Sequence, residues 1–365
     1  MKTFEQLPIE LQLPYLPAKV EPFPGAIGLI ACGEITKEHL TAYRSLGFPV
    51  ACLCDPNLEK AISRQQEFFP AAAVTDDYQA LLARPDITIV DIATHTDVRS
   101  QIVQQSLLAG KHTLSQKPFV EELAQGRALA ELARQNSVKL AVNQNARWAP
   151  HFSYMRQAVS SGLLGRLSAI RFNIHWDHTW TRGTKFEKIH HLLLYDFAIH
   201  WFDLMICLMS ERPWQSVYAT VRKSQTQEMA PPMIAQVVVD FADAQASLCL
   251  DAATPRLPLN QTYLAGSEGS IFCTGPDYSV QDLVIEVESG KHQVPLKGFW
   301  FPDGFGGSMA ELAASILENR QPTHNALNNL ASLELCFAAI ESAETGLPVF
   351  PGQVKGLPKP TVRSR

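Results

Sequence analysis

The sequence lacks any apolar run approaching the roughly eighteen residues a membrane span needs, so no transmembrane helix is expected. It also lacks a basic excess. Its 31 Lys and Arg stand against 36 Asp and Glu, a net charge of −5, which argues against a nucleic-acid partner. The first residues, MKTFEQLPIELQLPYLP, carry acids and prolines and no apolar signal core. Export is therefore not expected, and a cytoplasmic location is. The seven cysteines (Cys32, Cys52, Cys54, Cys207, Cys249, Cys273 and Cys336) are odd in number and show no paired spacing. They read as small core residues in a reducing compartment, not as a disulfide framework. Cys52 and Cys54 have no second ligand pair to make a zinc site with them. Internal repeats and low-complexity tracts are missing too.

What is present is a chain of 365 residues, 46% hydrophobic and 18% charged, long enough for two ordinary domains with substantial cores. Residues 1–25 hold five prolines and no periodicity, and read as an extended arm that packs on the body. From residue 26 the texture is regular. AIGLIA, PVACLCD, ITIVDIAT, HTLSQKP and VKLAVNQN are short buried strands. Helical segments at about 57–68, 77–84, 97–109 and 121–136 separate them, together with a helix after the first strand. Alternation of this kind over 26–150 predicts an α/β domain built on a doubly wound parallel sheet.

After Pro150 the pattern changes. A helix over 151–161 is followed by SAIRFNIHW, which alternates like a half-buried strand, and by the apolar helix candidate HHLLLYDFAIHWFDLMICLM. SVYATVRKS, AQVVVDFA, QASLCLDAA and YLAGSEGSIFCTG read as four further strands, and two helices close the pattern. The prediction for 151–350 is an α+β domain with an open, mostly antiparallel sheet, its last helices free to pack back on the first domain. Residues 351–365 read as a C-terminal tail.

A strand, a glycine turn and a helix start can hold a pyrophosphate on backbone N–H groups. At the G-x-G-x-x-G positions stand Ala31, Gly33 and Thr36, so only the central glycine is kept. The turn Ala31-Cys32-Gly33-Glu34-Ile35 is the candidate phosphate contact. Asp55 closes the second strand about twenty residues on, where an acid accepts from the ribose hydroxyls and repels a 2′-phosphate. That favours NAD, although Arg64 could serve a phosphate and keeps NADP open. A bland strand-end turn before Pro56 is the alternative reading of Asp55.

Lys117 follows a buried strand and precedes Pro118, at the strand end where ligands of open α/β sheets sit. There an ammonium can meet a substrate oxygen or shuttle a proton. The alternative is a solvated surface lysine. Asp196 and His200 are four residues apart in an apolar stretch, on one face if the segment is helical. A histidine beside a carboxylate is a natural proton acceptor, and a satisfied core histidine explains the pair equally well. NQNARW offers Asn145, Arg147 and Trp148 after a strand end. HWDHTW places Trp176 and Trp180 around Asp177 and His178, which suits a sugar ring or an ordinary aromatic core. His190 and His191, taken with Asp177 and His178, match no standard ligand spacing, so no metal is expected.

Together these stretches, with DIATHTDVRSQIVQQSLLAGKHTLSQKPF, SSGLLGRLSAIRF, DFAIHWFDL and ESAETGLPV, resemble the glucose–fructose oxidoreductase / inositol dehydrogenase / MocA family over roughly residues 26–350. The resemblance implies a Rossmann-type first domain and a nine-stranded-type open sheet in the second, used for homodimer or homotetramer contacts. The family's Glu-Lys-Pro corresponds to Gln116-Lys117-Pro118, and its Asp-x-x-x-His to Asp196 and His200. Its Thr-Pro nucleotide loop is Thr94-His95 here, and a frequent histidine in the next helix is Arg99. By this resemblance Ala31 to Ile35, Asp55, Thr94, His95, Gln116, Lys117 and Asn145 face the cofactor. Lys117, Arg147, Trp148, Trp176, His178, Asp196 and His200 face a carbohydrate-like substrate. The expected activity is NAD(P)-dependent hydride transfer at a secondary alcohol of a sugar, glycoside or cyclitol. A retained-NAD redox cycle and a non-enzymatic nucleotide sensor are the alternatives.

Overall fold

The structure is a computed structural model that describes residues 7–209, 212–277 and 279–359. It divides into two compact bodies. One comprises residues 17–148 and 301–331, the other the described parts of 7–16, 149–300 and 332–359.

The first body runs β1 (Ala26–Ile30), α1 (Thr36–Leu46), β2 (Val50–Cys54), α2 (Leu58–Phe68), β3 (Ala73–Thr75), α3 (Tyr78–Leu82), β4 (Ile87–Ile92), α4 (Thr96–Leu108), β5 (His112–Gln116), α5 (Leu123–Gln135) and β6 (Leu140–Asn143). The strands lie in the order β3-β2-β1-β4-β5-β6, and every pair is parallel. Near-continuous burial along β1, β2, β4 and β6 follows from helices covering both faces. The chain reverses direction across the sheet between β1 and β4, which opens a crevice at their carboxyl ends. Local chemistry sets the helix ends. α1 stops at Gly47, whose φ of 71° is the left-handed conformation a C-terminal cap needs. α2 starts where the Asn57 side chain accepts from the Glu59 amide. β3 was not anticipated, because three residues are too few to show a period.

The second body runs α6 (Pro150–Ser160), β7 (Leu167–His175), a π-helical turn (Leu193–Phe197), α7 (Ile199–Leu208), β8 (Trp214–Arg222), β9 (Ile234–Phe241), β10 (Ala244–Asp251), β11 (Leu259–Gly266), β12 (Ser270–Gly275), β13 (Asp282–Val287) and β14 (Gly290–Val294). Its sheet, among the described residues, has eight strands in the order β14-β13-β12-β11-β7-β10-β9-β8. β7 and β10 pair parallel and all other neighbours antiparallel. The sheet is therefore mixed but mostly antiparallel, with eight described strands where the resemblance implied nine. YLAGSEGSIFCTG is not one strand but the β11–β12 hairpin, whose turn closes from the Gly266 amide to the Gly269 carbonyl. β13 and β14 form an edge hairpin whose mixed polarity hides it from periodicity.

HHLLLYDFAIHWFDLMICLM does not form a single helix either. The Ala198 amide reaches back five residues to the Leu193 carbonyl, so a π turn precedes α7. Two helices follow the second sheet: α8 (Trp300–Leu317), broken at Phe301, and α9 (Ala326–Thr345). From Phe301 onward α8 belongs to the first body, where Phe305, Met309, Leu312 and Ala313 join Ile27, Leu29, Leu40 and Tyr43 in one core.

The arm is anchored at Leu11 and Val20, both buried; residues 1–6 and 360–365 lie outside the described residues. Leu11 is fully buried, and its carbonyl accepts from the Tyr154 hydroxyl at 3.0 Å.

Gly307 of α8 shows how tightly the first body closes. A Cβ there would lie 2.4 Å from Cβ and Cγ of Trp148, at the stiff root of a large side chain. Gly307→Ala is expected to cost about 1–3 kcal/mol through overpacking, read as a lower midpoint in thermal or urea unfolding. An unchanged midpoint would mean that Trp148 moves aside freely.

Candidate active site

In the first body the turn after β1 is held from below. The Ala31 amide donates to the Cys54 carbonyl at 2.8 Å, and the Cys32 amide to Asp55 Oδ2 at 2.8 Å. Ala31 adopts φ 77°, the left-handed conformation normally left to glycine, so the substitution is strained but tolerated. Asp55 Oδ1 accepts from the Asn57 amide at 2.9 Å. Asp55 thus stitches the ends of β1 and β2 together. Its remaining lone pairs, about two of four, are left for an outside donor. Above the turn there is room, because a Cβ on Gly33 would meet nothing within 4 Å. Thr36 turns inward, its amide and hydroxyl both donating to the Gly33 carbonyl, at 3.2 and 2.6 Å. The amides of Gly33, Glu34 and Ile35 meet no acceptor among the described residues, and they stand at the start of α1. Arg64 comes up from α2. Its Nη2 lies 3.4 Å from the Gly33 carbonyl and 3.3 Å from Glu34 Oε1.

Deeper in the body lies a polar chain that ends at Lys117. Asp91 Oδ2, fully buried at the end of β4, accepts from Tyr43 Oη at 2.6 Å and meets His39 Nδ1 at 2.6 Å. Burial, then the Asp91 charge, pushes the Tyr43 phenol well above its ordinary pKa, so it remains a donor. On its other side His39 Nε2 lies 3.2 Å from Gln116 Nε2, and Gln116 Oε1 accepts from the Lys117 amide at 2.8 Å. Given the Gln116 amide orientation, His39 Nε2 acts as acceptor and Nδ1 carries the proton toward Asp91. Arg99 secures the same loop from α4. Its guanidinium donates to the carbonyls of Gln116 (2.8 Å), Pro118 and Thr94. The Lys117–Pro118 bond is cis.

In the second body Asp196 sits on the π turn and His200 on the first turn of α7; both are buried. The His200 ring stands edge-on to Trp300 with centroids 5.3 Å apart. Trp300 in turn contacts Trp176 and Trp201, at 6.3 and 6.1 Å. His178 stacks on Trp176 at 5.6 Å and meets Phe197 edge-on at 4.1 Å. Asp203, further along α7, is fully buried, and its Oδ1 accepts from Ser332 Oγ of α9 at 2.8 Å. Trp300 also lines a cavity of about 300 Å³ together with His151, Ser279, Gln281, Asp282 and Phe299.

Residues 26–144 match the family described as an oxidoreductase family with an NAD-binding Rossmann fold, and residues 152–272 match the GFO/IDH/MocA C-terminal domain. The chain belongs to the GFO/IDH/MocA oxidoreductase family. Among curated members, D-apiose dehydrogenase of Paraburkholderia graminis is 33% identical over 147 residues, which are 40% of this chain and 38% of that protein. Inositol 2-dehydrogenase of Rhizobium meliloti is 24% identical across 86% of this chain and 96% of its own. Among solved structures, an Agrobacterium radiobacter oxidoreductase in complex with NAD+, L-tartaric acid and magnesium superposes with a TM-score of 0.78 at 19% identity, over 89% of this chain and 98% of that one.

The first body of this GFO/IDH/MocA protein suits the dinucleotide. Three free amides at a helix start, open space over Gly33 and a fixed carboxylate at Asp55 match a pyrophosphate and its ribose. Thr94 Oγ1, buried at the next loop, has no partner among the described residues, and neither do the side-chain amides of Asn143 and Gln144. His95 caps α4 with its backbone alone, and Asn145 is buried in the short helix after β6.

Two predicted substrate contacts have structural work inside the first body. Arg147 donates to the Thr323 carbonyl at 2.8 Å, and the Trp148 ring packs edge-on to His324 at 4.7 Å and against Gly307. Lys117 and the Asp196/His200 pair belong to different bodies. Sequence reasoning missed His39, Tyr43, Asp91, His151 and Trp300. For Asp91 a signal existed, since a lone acid inside ITIVDIAT is costly unless paired.

Proposed function

We propose that the chain transfers hydride between NAD and a secondary alcohol of a sugar, glycoside or cyclitol, with Lys117, Asp196 and His200 handling the proton. The observation that carries this reading is the buried chain Tyr43/His39–Asp91, His39–Gln116 and Gln116–Lys117. A surface lysine needs no such support. A lysine that must present its ammonium to a developing alkoxide does, because misplacement of a catalytic group is expensive. Bound NAD supplies the hydride acceptor at the mouth of the first body's sheet. The His200 imidazole takes the hydroxyl proton, Lys117 stabilises the oxygen as negative charge grows on it, and Asp196 orients and tunes both groups. Trp176, half-buried and backed by the buried Trp300, offers an aromatic surface that suits the C–H side of a sugar ring. Asp55 in the ribose position favours NAD over its 2′-phosphorylated form.

The test is a screen of sugars, glycosides and cyclitols for NADH formation, with mass analysis of any copurified nucleotide. Turnover of at least one polyol, lost in His200→Asn, is the expected result. Product formed without net NADH would shift the reading to a retained-cofactor redox cycle. NAD binding with no hydride exchange for any polyol would overturn it in favour of a sensor.

A further inference from the structure

Outside that machinery the second body holds a second cluster of ligand-type side chains. His190 and His191 stand just ahead of the π turn, and Glu344 lies in the last turns of α9, 153 residues beyond His191. Both imidazoles point their Nε2 atoms at the same oxygen, Glu344 Oε1, at 2.9 and 2.6 Å. The two rings meet edge-on with centroids 4.4 Å apart. One ligand atom from each residue lies within 4.8 Å of the others.

We propose that His190, His191 and Glu344 bind a zinc-class divalent transition-metal ion. Two imidazole nitrogens and a carboxylate oxygen are a donor set for zinc, nickel or copper(II) and a poor one for magnesium or calcium, which take oxygen ligands. The dimensions fit. Bonds of about 2.0–2.2 Å place tetrahedral ligands roughly 3.3 Å apart. The present contacts of 2.9 and 2.6 Å therefore need to open by roughly 0.4 to 0.7 Å. The cluster is also asymmetric in a useful way. The side chains of His191 and Glu344 are 4% and 10% exposed, so two ligands are held in place, while His190 is 46% exposed and gives the ion an entry path and a solvent-facing fourth position. An ion here ties the segment leading into Asp196 to the C-terminal end of α9. Occupancy then stabilises the second body and needs no part in hydride transfer. The spacing of His190 and His191 gave no hint of this, because the third ligand is remote in sequence.

Untagged full-length chain, stripped with a chelator and dialysed, is titrated with Zn(II) by calorimetry and with Co(II) by visible absorption. One ion per chain is expected. Co(II) should show the intense bands of low-coordinate geometry, and saturating Zn(II) should raise the melting temperature by several degrees. His190→Ala, at an exposed position that the fold does not depend on, and Glu344→Gln, which keeps the side-chain shape, should each weaken Zn(II) binding by at least about tenfold. Excess Mg(II) should not compete. Substoichiometric Zn(II) binding, or wild-type Zn(II) affinity in both variants, would overturn the proposal. Cysteine-borne binding survives both substitutions and is thereby told apart.

Discussion

Lys117→Ala is expected to lower kcat on the cognate alcohol by about a hundred- to a thousandfold, with NADH affinity and melting temperature nearly unchanged. The side chain contributes charge at one point, whereas the loop that carries it is held by the Lys117 backbone amide on Gln116 and by Arg99 on the flanking carbonyls. Removing the ammonium therefore leaves the scaffold standing. Lys117→Arg should rescue little, because a planar fork cannot replace a compact charge aimed at one oxygen. A double substitution tests the pairing with His200. If both residues act on one alcohol, the Lys117→Ala, His200→Asn double variant should be hardly slower than the worse single variant. Multiplicative losses would mean that the residues serve separate steps, and near-wild-type turnover of Lys117→Ala would remove it from the mechanism.

The largest stability effect is expected at Arg99. Its buried guanidinium gathers the carbonyls of Thr94, Gln116 and Pro118, joining the loops that follow β4 and β5. Arg99→Ala leaves those carbonyls without a charged donor and should cost the first body about 3 kcal/mol. Because two bodies need not unfold together, the measurement is hydrogen exchange resolved to the segments around residues 94–99 and 112–118, beside a urea titration. Faster exchange confined to those segments, together with a fall in kcat from a loosened Lys117 loop, is the expected pattern. Unchanged protection would show that the sheet ends hold themselves. Arg99→Lys should recover little, since one ammonium cannot reach three carbonyls at once.

How legible each feature was depends on whether its signal is local. The parallel sheet of the first body could be read because strands buried on both faces are short apolar runs separated by amphipathic helices, and Gly47 and Asn57 mark helix ends by their own chemistry. Asp55 stood out by its distance from the turn, and the structure fixes it there with two backbone amides. The β11–β12 turn and the β13–β14 hairpin were hidden, because a turn of small residues and a polar edge strand leave the apolar pattern almost unbroken. The π turn was hidden for a related reason. An all-apolar segment carries no period to show where the helix widens, so Asp196 and His200 read as one helical face.

Arg147 and Trp148, whose residue types suggested sugar contacts, also engage Thr323, His324 and Gly307, far along the chain, which no local pattern announces. The order of apolar runs, turn residues and lone acids along the chain was enough to determine the α/β body and to mark a candidate nucleotide turn and candidate proton-handling groups. Only the tertiary structure decided what supports them: Tyr43, His39 and Asp91 behind Lys117, Trp300 beside His200, and Glu344 beside His190 and His191. Such partnerships join residues tens to more than a hundred positions apart, and burial in a packed interior, which no local pattern records, is what makes them energetically obligatory.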